Sequence, residues 1–174
     1  MTATIRTARA ADRDTIASIH AQSWKSAYRD VFPEAFLAGP VDEHLLDMWR
    51  APSDNADDVL FVAEENGANG ARLVGFIAVR CRPDPFIENL HVLPAVRSQG
   101  LGRRLMGRAA ERLIGTGQSI AHLWVMENNT RAIRFYEALG GVRGETVTKV
   151  FFGNPARVVR IDWTDLSAMA GAAE

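Results

Sequence analysis

The sequence predicts an α/β domain of the α+β type, with a mixed, mostly antiparallel central sheet and flanking helices. Three observations carry this. The apolar period is about 3.6 up to residue 50 and changes to about 2 at Val59. Two segments read as hairpins, one turning at "NGANG" and one closing the chain as "VTKVFFG" and "ARVVRIDW". The order is strand, helices, three strands, helix, strand, helix, two strands, which a doubly wound parallel sheet fits poorly.

Each element has its local reason. "ATIRTARA" forms a first strand, and Asp12 is placed to cap a helix whose face holds Ile16, Ile19, Trp24 and Ala27. Pro33 and Gly39-Pro40 break the chain after that helix into short helical pieces, the second being "VDEHLLDMWR", and "APSDNADD" is a polar loop. "VLFVAEE" and "RLVGFIAVRCR" are strands, the latter ended by Pro83 and Pro85, and "FIENLHVL" is a strand stopped by Pro94. Leu101, Leu105, Ala109 and Leu113 recur every four residues along a helix that closes near Gly115 and Gly117. "SIAHLWVM" is a strand, and Asn128 or Asn129 caps the helix "TRAIRFYEAL", which ends on Gly140-Gly141. The terminal "SAMAGAAE", residues 167–174, reads as a short frayed tail to one domain spanning 1–174.

With 174 residues, 47% hydrophobic and 24% charged, the chain is long enough for a substantial core and has a soluble composition. Its net charge of -1 provides no general attraction to nucleic acid or membrane, and neither partner is expected. The N-terminus has no apolar leader and no stretch is long enough to span a bilayer, so a cytoplasmic location is expected. One cysteine, Cys81, excludes an intrachain disulfide framework or a cysteine-rich metal site; it reads as a small core residue, and no metal is expected.

The informative stretch is "AVRSQGLGRRLMGRAAERL", residues 95–113, where Gly100 and Gly102 stand at the entrance of a helix. Glycine costs about 1 kcal/mol against alanine inside a helix, so the pair needs a reason. A P-loop is excluded because no Lys-Ser/Thr pair follows, and a dinucleotide fingerprint because position 105 is leucine. A pyrophosphate cradle fits. Amides from Ser98 to Arg103 would converge on the helix's positive end, and the missing Cβ atoms of Gly100 and Gly102 would let phosphate oxygens approach. Arg97 and Arg103 at the helix mouth are read as anion-binding; Arg108 and Arg112, farther along, as a solvated face.

The pattern Arg97-Ser98-Gln99-Gly100-Leu101-Gly102 resembles motif A of the Gcn5-related N-acetyltransferases (GNAT), as does the preceding strand "ENLHVLP". "NNTRAIRFYEALGG" is similar to the family's next helix, with Asn129 seven residues before Tyr136, and "IRTARAADRDTIASIHAQSW" to its first strand and helix. The resemblance implies a GNAT-like sheet in which two central parallel strands, "FIENLHVL" and "SIAHLWVM", splay apart at the cofactor site. Acetyl-CoA is the implied co-substrate. Its pantetheine arm would pair with the backbone near Leu90, His91 and Val92, its pyrophosphate would rest on Ser98, Gln99, Gly100, Leu101, Gly102 and Arg103, and Asn129 would hold the arm. A backbone N–H near His91 or Val92 would polarise the thioester carbonyl.

The implied reaction is direct transfer of the acetyl group to a primary amine in a ternary complex. Tyr136 is the candidate group for the leaving thiolate, the alternative being that it packs with Ile133 and Leu139. Glu88 is the candidate base, the alternative being a solvated strand glutamate. His91 and His122 read as packing residues. The acceptor, a small-molecule or peptide amine, would enter past Trp24, Tyr28 and Phe32, with Trp49 nearby. A homodimer is compatible with the exposed aromatics and terminal hairpin. The competing function is a non-catalytic acyl-CoA sensor of the same fold.

Overall fold

The computed structural model describes residues 3–51, 55–67, 70–97 and 99–172. Seven strands form one sheet in the order β1-β2-β3-β4-β5-β7-β6. They are β1 (Thr4–Thr7), β2 (Val59–Gly67), β3 (Gly70–Arg80), β4 (Phe86–Val92), β5 (Ala121–Met126), β6 (Val142–Phe151) and β7 (Asn154–Trp163). The helices are α1 (Arg13–Ala27), α2 (Glu34–Leu37), α3 (Pro40–Arg50), α4 (Leu101–Gly115), α5 (Thr130–Glu137) and α6 (Ser167–Ala170). Every strand pair is antiparallel except β4 with β5. The expected mixed, mostly antiparallel architecture is the one observed.

Two cores lie on opposite faces of the sheet. On one, Leu101, Leu105, Ala109 and Leu113 of α4 pack with Ile133 of α5, Met169 of α6 and inward residues of β2 to β5 and β7. On the other, Ile16, Ile19 and Trp24 of α1 pack with Val41, Leu45 and Trp49 of α3 against Val62, Phe76 and Val158. The four-residue spacing of apolar positions in α4 is thus the seam that buries it.

β4 carries the feature that shapes the site. Its register with β3 pairs Ile87 with Val79 and then Asn89 with Ala78, leaving Glu88 as an extra residue in a β-bulge. Strand alternation alone would put Ile87 and Leu90 on opposite faces, yet Ile87, Leu90 and Val92 all pack with the α4-side core. The bulge resets the alternation. It also bends its strand, and beyond it β4 parts from β5. Phe86 with His122 is the register pair between them, with the His122 N–H donating to Pro85 O at 3.0 Å. β5 turns to β7 instead, pairing from Ala121 through Met126.

Two expectations are corrected. Asp12 precedes α1, but its carboxylate makes no cap bond to that helix; Oδ2 accepts from Arg9 N at 2.6 Å and from Arg6 Nη1 at 2.8 Å. It therefore caps the short 3-10 turn before α1. The supposed tail is docked over residues 167–172: Met169 is fully buried and Leu166 and Ala172 join the core, because α6 covers apolar surface left by α4. Cys81 is buried, as expected. Among the described residues no helix is long and apolar enough to cross a membrane, and no cluster of three or more His, Cys, Asp or Glu could hold a metal.

Candidate active site

Where β4 and β5 diverge, a cavity of about 550 Å³ opens between them. The β4 backbone facing it follows from register. Leu93 N donates to Val74 O, and hydrogen-bonded pairs alternate along an antiparallel ladder. His91 therefore turns its backbone toward Phe76 of β3, while Leu90 and Val92 turn theirs toward the gap left by β5. Val92 O is taken by Arg97 Nε at 3.1 Å. The Leu90 N–H, Leu90 C=O and Val92 N–H form a strand edge that an extended ligand arm can pair with.

At the cavity mouth α4 begins. Gly100 is its N-cap with φ 76, the left-handed region that favours glycine. Gly102 lines the cavity, and a Cβ there would touch Phe135 Cζ of α5 at 3.4 Å. The first turns of α4 and α5 contain no acidic residue, but they carry Arg103, Arg104 and Arg131. Cations oppose the positive end of a helix dipole, so this arrangement suits a polyanion lying across both N-termini. Arg97, Arg103 and Arg131 line the cavity.

Arg97 does more than face an anion. Besides Val92 O, it reaches Ser26 Oγ and Ser23 Oγ of α1, each at 3.4 Å, so it ties the loop to both the strand end and α1. Burial, with the charge of Arg131 adding to it, lowers the Arg97 pKa.

The inner wall holds Tyr136, Tyr28, Asn129, Glu88 and His91. Gly140 takes φ 84, the Gly141 N–H donates to Tyr136 O at 3.0 Å, and Trp163 stands edge-on to the Tyr136 ring at 6.0 Å. A Cβ on Gly141 would lie 2.5 Å from Ile161 Cγ2, so only glycine lets this turn close. Burial, with Tyr28 adding to it, raises the Tyr136 pKa, and the phenol keeps its proton at neutral pH. Asn129 caps α5, its Oδ1 accepting from Ala132 N at 3.1 Å.

Glu88 is the sole carboxylate among the cavity's described lining residues. Its Oε2 accepts from Arg80 Nε at 3.1 Å, and Arg80 also pairs with Asp58. Among the described residues no hydrogen bond to Oε1 is seen, and the side chain is 30% exposed. His91 is no base. Burial, with the charge of Arg97 adding to it, takes its pKa down to about 3. Its Nδ1 bonds Ser23 Oγ at 2.9 Å, and its ring lies 4.3 Å from that of His20.

The structure gathers Leu90, His91, Val92, Arg97, Gly100, Leu101, Gly102, Arg103, Asn129, Tyr136, Glu88 and Tyr28 around one cavity. Ser98 falls outside the described residues. Gln99 is exposed and does not line the cavity. Trp24 and Phe32, expected at the acceptor entrance, are instead core residues stacked on each other at 5.0 Å, because Phe151 and Phe152 of the terminal hairpin cover them. Trp49 is likewise buried, donating from Nε1 to His20 Nδ1 at 3.0 Å. Tyr28 lies on the cavity wall beside Asn129. Sequence reasoning missed Arg131, Trp124 and Ser23. Arg131 had a legible signal, a cation in a helix's first turn; the other two had none.

Comparison with known proteins agrees with this geometry. Residues 21–141 match the model of the acetyltransferase (GNAT) family. An uncharacterised N-acetyltransferase of Bacillus subtilis, YuaI, is 28% identical over 95% of both chains. A mycothiol acetyltransferase of Jonesia denitrificans is 32% identical over 69% of this chain, which covers 39% of that longer protein. The fold superposes on yncA of Salmonella typhimurium, solved with its cofactor acetyl-CoA, at a TM-score of 0.67 and 22% identity over 96% of this chain and 95% of that one. It superposes on the PaiA N-acetyltransferase of Thermoplasma acidophilum, solved with coenzyme A, at 0.68 and 20% identity over 94% of this chain and 100% of that one. With a divided central strand pair, two helix N-termini facing one cavity, and a family match across most of its length, the chain belongs to the GNAT family of acetyl-CoA-dependent acyltransferases.

Proposed function

We propose that the protein, read as one domain over 1–174, moves the acetyl group of acetyl-CoA to a primary amine by direct attack in a ternary complex. The observation that carries this is the placement of Glu88 and Tyr136 on the wall of one cavity beside the free edge of β4. In this reading Leu90 and Val92 bind the pantetheine arm, and the α4 and α5 N-termini with Arg97, Arg103 and Arg131 hold the phosphates. The Val92 N–H polarises the thioester carbonyl, where negative charge develops during attack.

Glu88 Oε1 accepts the amine proton, directly or through water, leaving a neutral nucleophile. The nitrogen then attacks the carbonyl carbon, the C–S bond breaks with its electron pair going to sulfur, and the second proton on nitrogen is lost to water as the amide forms. An ordinary tyrosine pKa near 10 already exceeds that of a thiol near 8.5, and burial widens the gap. Tyr136 therefore stabilises the departing thiolate as a hydrogen-bond donor and keeps its proton. A covalent acetyl-enzyme has no support: Cys81 is buried and is not on the cavity wall.

The acceptor is a small-molecule or peptide amine. The test is release of CoA thiol across a panel of primary amines with both substrates varied. Intersecting initial-velocity lines are expected. Parallel lines, or acetylated protein trapped without amine, would overturn direct transfer; acetyl-CoA binding without turnover on any amine would overturn catalysis.

A further inference from the structure

Arg80 stands between two carboxylates, and they are anchored unequally. It follows Phe76 and Ala78 along the face of β3 that packs toward α1 and α3. Its Nε donates to Glu88 Oε2 at 3.1 Å and its Nη1 to Asp58 Oδ2 at 3.0 Å. Asp58 is the fixed end. Its other oxygen, Oδ1, accepts from Cys81 N at 2.9 Å and from Asn55 Nδ2 at 3.0 Å, and the Asp58 N–H donates to Asn55 O at 3.2 Å. The Asp58 side chain is 13% exposed, against 44% for Arg80. Glu88, by contrast, is the extra residue of the β4 bulge and has no ladder partner to fix its direction. Among the described residues Arg80 is its side-chain partner. The bonds thus run outward from an anchor: Asp58 to Arg80, and Arg80 to Glu88.

We infer that Asp58 is a positioning residue for acetyl transfer, holding the Arg80 guanidinium so that Arg80 in turn sets the angle and basicity of Glu88. This rests on the reading of Glu88 as the base and adds to it a residue that does not line the cavity. A guanidinium presents its N–H groups in a rigid fork, so the better-anchored carboxylate fixes the direction in which the other is held. Charge acts in the same chain. With Asp58 ionised, two carboxylates share the Arg80 cation. Without that charge the cation falls on Glu88 more fully, keeps it ionised to lower pH and makes it a weaker base. The neighbouring charges are accounted for. Asp57 pairs with Arg82 at 2.8 Å, and burial, with the charge of Asp58 adding to it, raises the Cys81 thiol, which stays neutral. Toward β5, His122 stacks on Phe86 at 5.2 Å, two residues before Glu88, and burial, with the charge of Arg160 adding to it, lowers its pKa. Asp84 and Lys149 also act on His122, and Arg160 is held by Asp162 at 2.8 Å.

A pH profile separates this role from a structural one, with kcat/KM for a primary amine followed by CoA thiol release at saturating acetyl-CoA. Asp58→Asn keeps an acceptor for the Cys81 N–H and removes the charge that holds Arg80. Its acid limb should lie about half a unit to one unit below that of the unsubstituted protein. Its plateau should be about 3- to 10-fold lower, with the acetyl-CoA KM unchanged. Asp58→Glu, which restores the charge, should return the limb. Glu88→Gln should lose the limb, and in that background Asp58→Asn should cost less than about twofold more. An unmoved limb in Asp58→Asn, or an equal loss in both backgrounds, overturns the inference and leaves the acetyl-transfer reading intact. If urea unfolding shows that Asp58→Asn does not fold, Arg80→Met carries the test. With the cation gone the limb should move to higher pH, and an unmoved limb overturns the inference. Persistence of the acid limb in Glu88→Gln overturns both the base reading and the inference.

Discussion

In the proposed reaction Tyr136 and Glu88 act at opposite ends, and their surroundings set what each can do. Tyr136 is raised in pKa by burial, so its contribution is a hydrogen bond to a charged group, about 1.5–3 kcal/mol. Tyr136→Phe should lower kcat about 10- to 100-fold with the acetyl-CoA KM nearly constant, and the deficit should shrink with an acyl donor of more acidic thiol. A uniform rise in KM would mean that Tyr136 only shapes the pocket. Glu88→Gln should cost about 100-fold near neutral pH. The fold should survive, because Asp58 still holds Arg80 at 3.0 Å. If Glu88 takes the amine proton, the deficit narrows as pH approaches the acceptor's own pKa; a constant deficit across pH would remove it from that role.

At the scale of the element, the start of α4 explains why two glycines are spent there, and the reasons differ. Gly100 needs a positive φ of 76, and no neighbour lies within 4 Å of its missing Cβ. Gly100→Ala should cost about 1–2 kcal/mol of stability through backbone strain alone, measurable by urea unfolding. Gly102 has ordinary backbone angles but borders both Phe135 and the cavity. Gly102→Glu should leave unfolding nearly unchanged while abolishing acetyl-CoA binding, since it sets a carboxylate where the proposed cradle would hold phosphate. Retained affinity would refute the cradle. The β4 bulge is the other decisive element. It turns Leu90 and Val92 onto the same core as Ile87 and presents their backbone to the gap.

Across the molecule, α1 is tied to the strand that carries the site by a buried pair of imidazoles. His20 from α1 and His91 from β4 lie 4.3 Å apart with their rings tilted, and burial keeps both neutral. Their folded pKa values lie below the unfolded value near 6.5, so the unfolded chain binds more protons below that pH. Stability is therefore fully present above about 6.5 and is lost on acidification toward the folded value of about 3 for His91. Between pH 7.5 and 5.5 the His91 contribution to this loss is about 1.4 kcal/mol. His91→Leu should flatten that slope in urea unfolding at the two pH values, and an unaltered slope would show that His91 is protonated in the folded protein.

The sequence by itself determined the element order, the mostly antiparallel sheet, the glycine loop before α4 and the Asn129–Tyr136 spacing. Each is written in local periodicity, turn residues or a short motif, which need no distant partner. What only the tertiary structure decided are facts about neighbours far apart in the chain. The bulge at Glu88 exists because β3 and β4 pair out of simple alternation. Trp24 and Phe32 are core because a hairpin more than 100 residues later closes over them. Arg97 is tied to α1 as well as lining the cavity, and Tyr28 belongs to the cavity because packing aims it there. Local patterns encode which segments form and which chemistry they carry; burial and hydrogen-bond competition among remote segments assign each side chain its task.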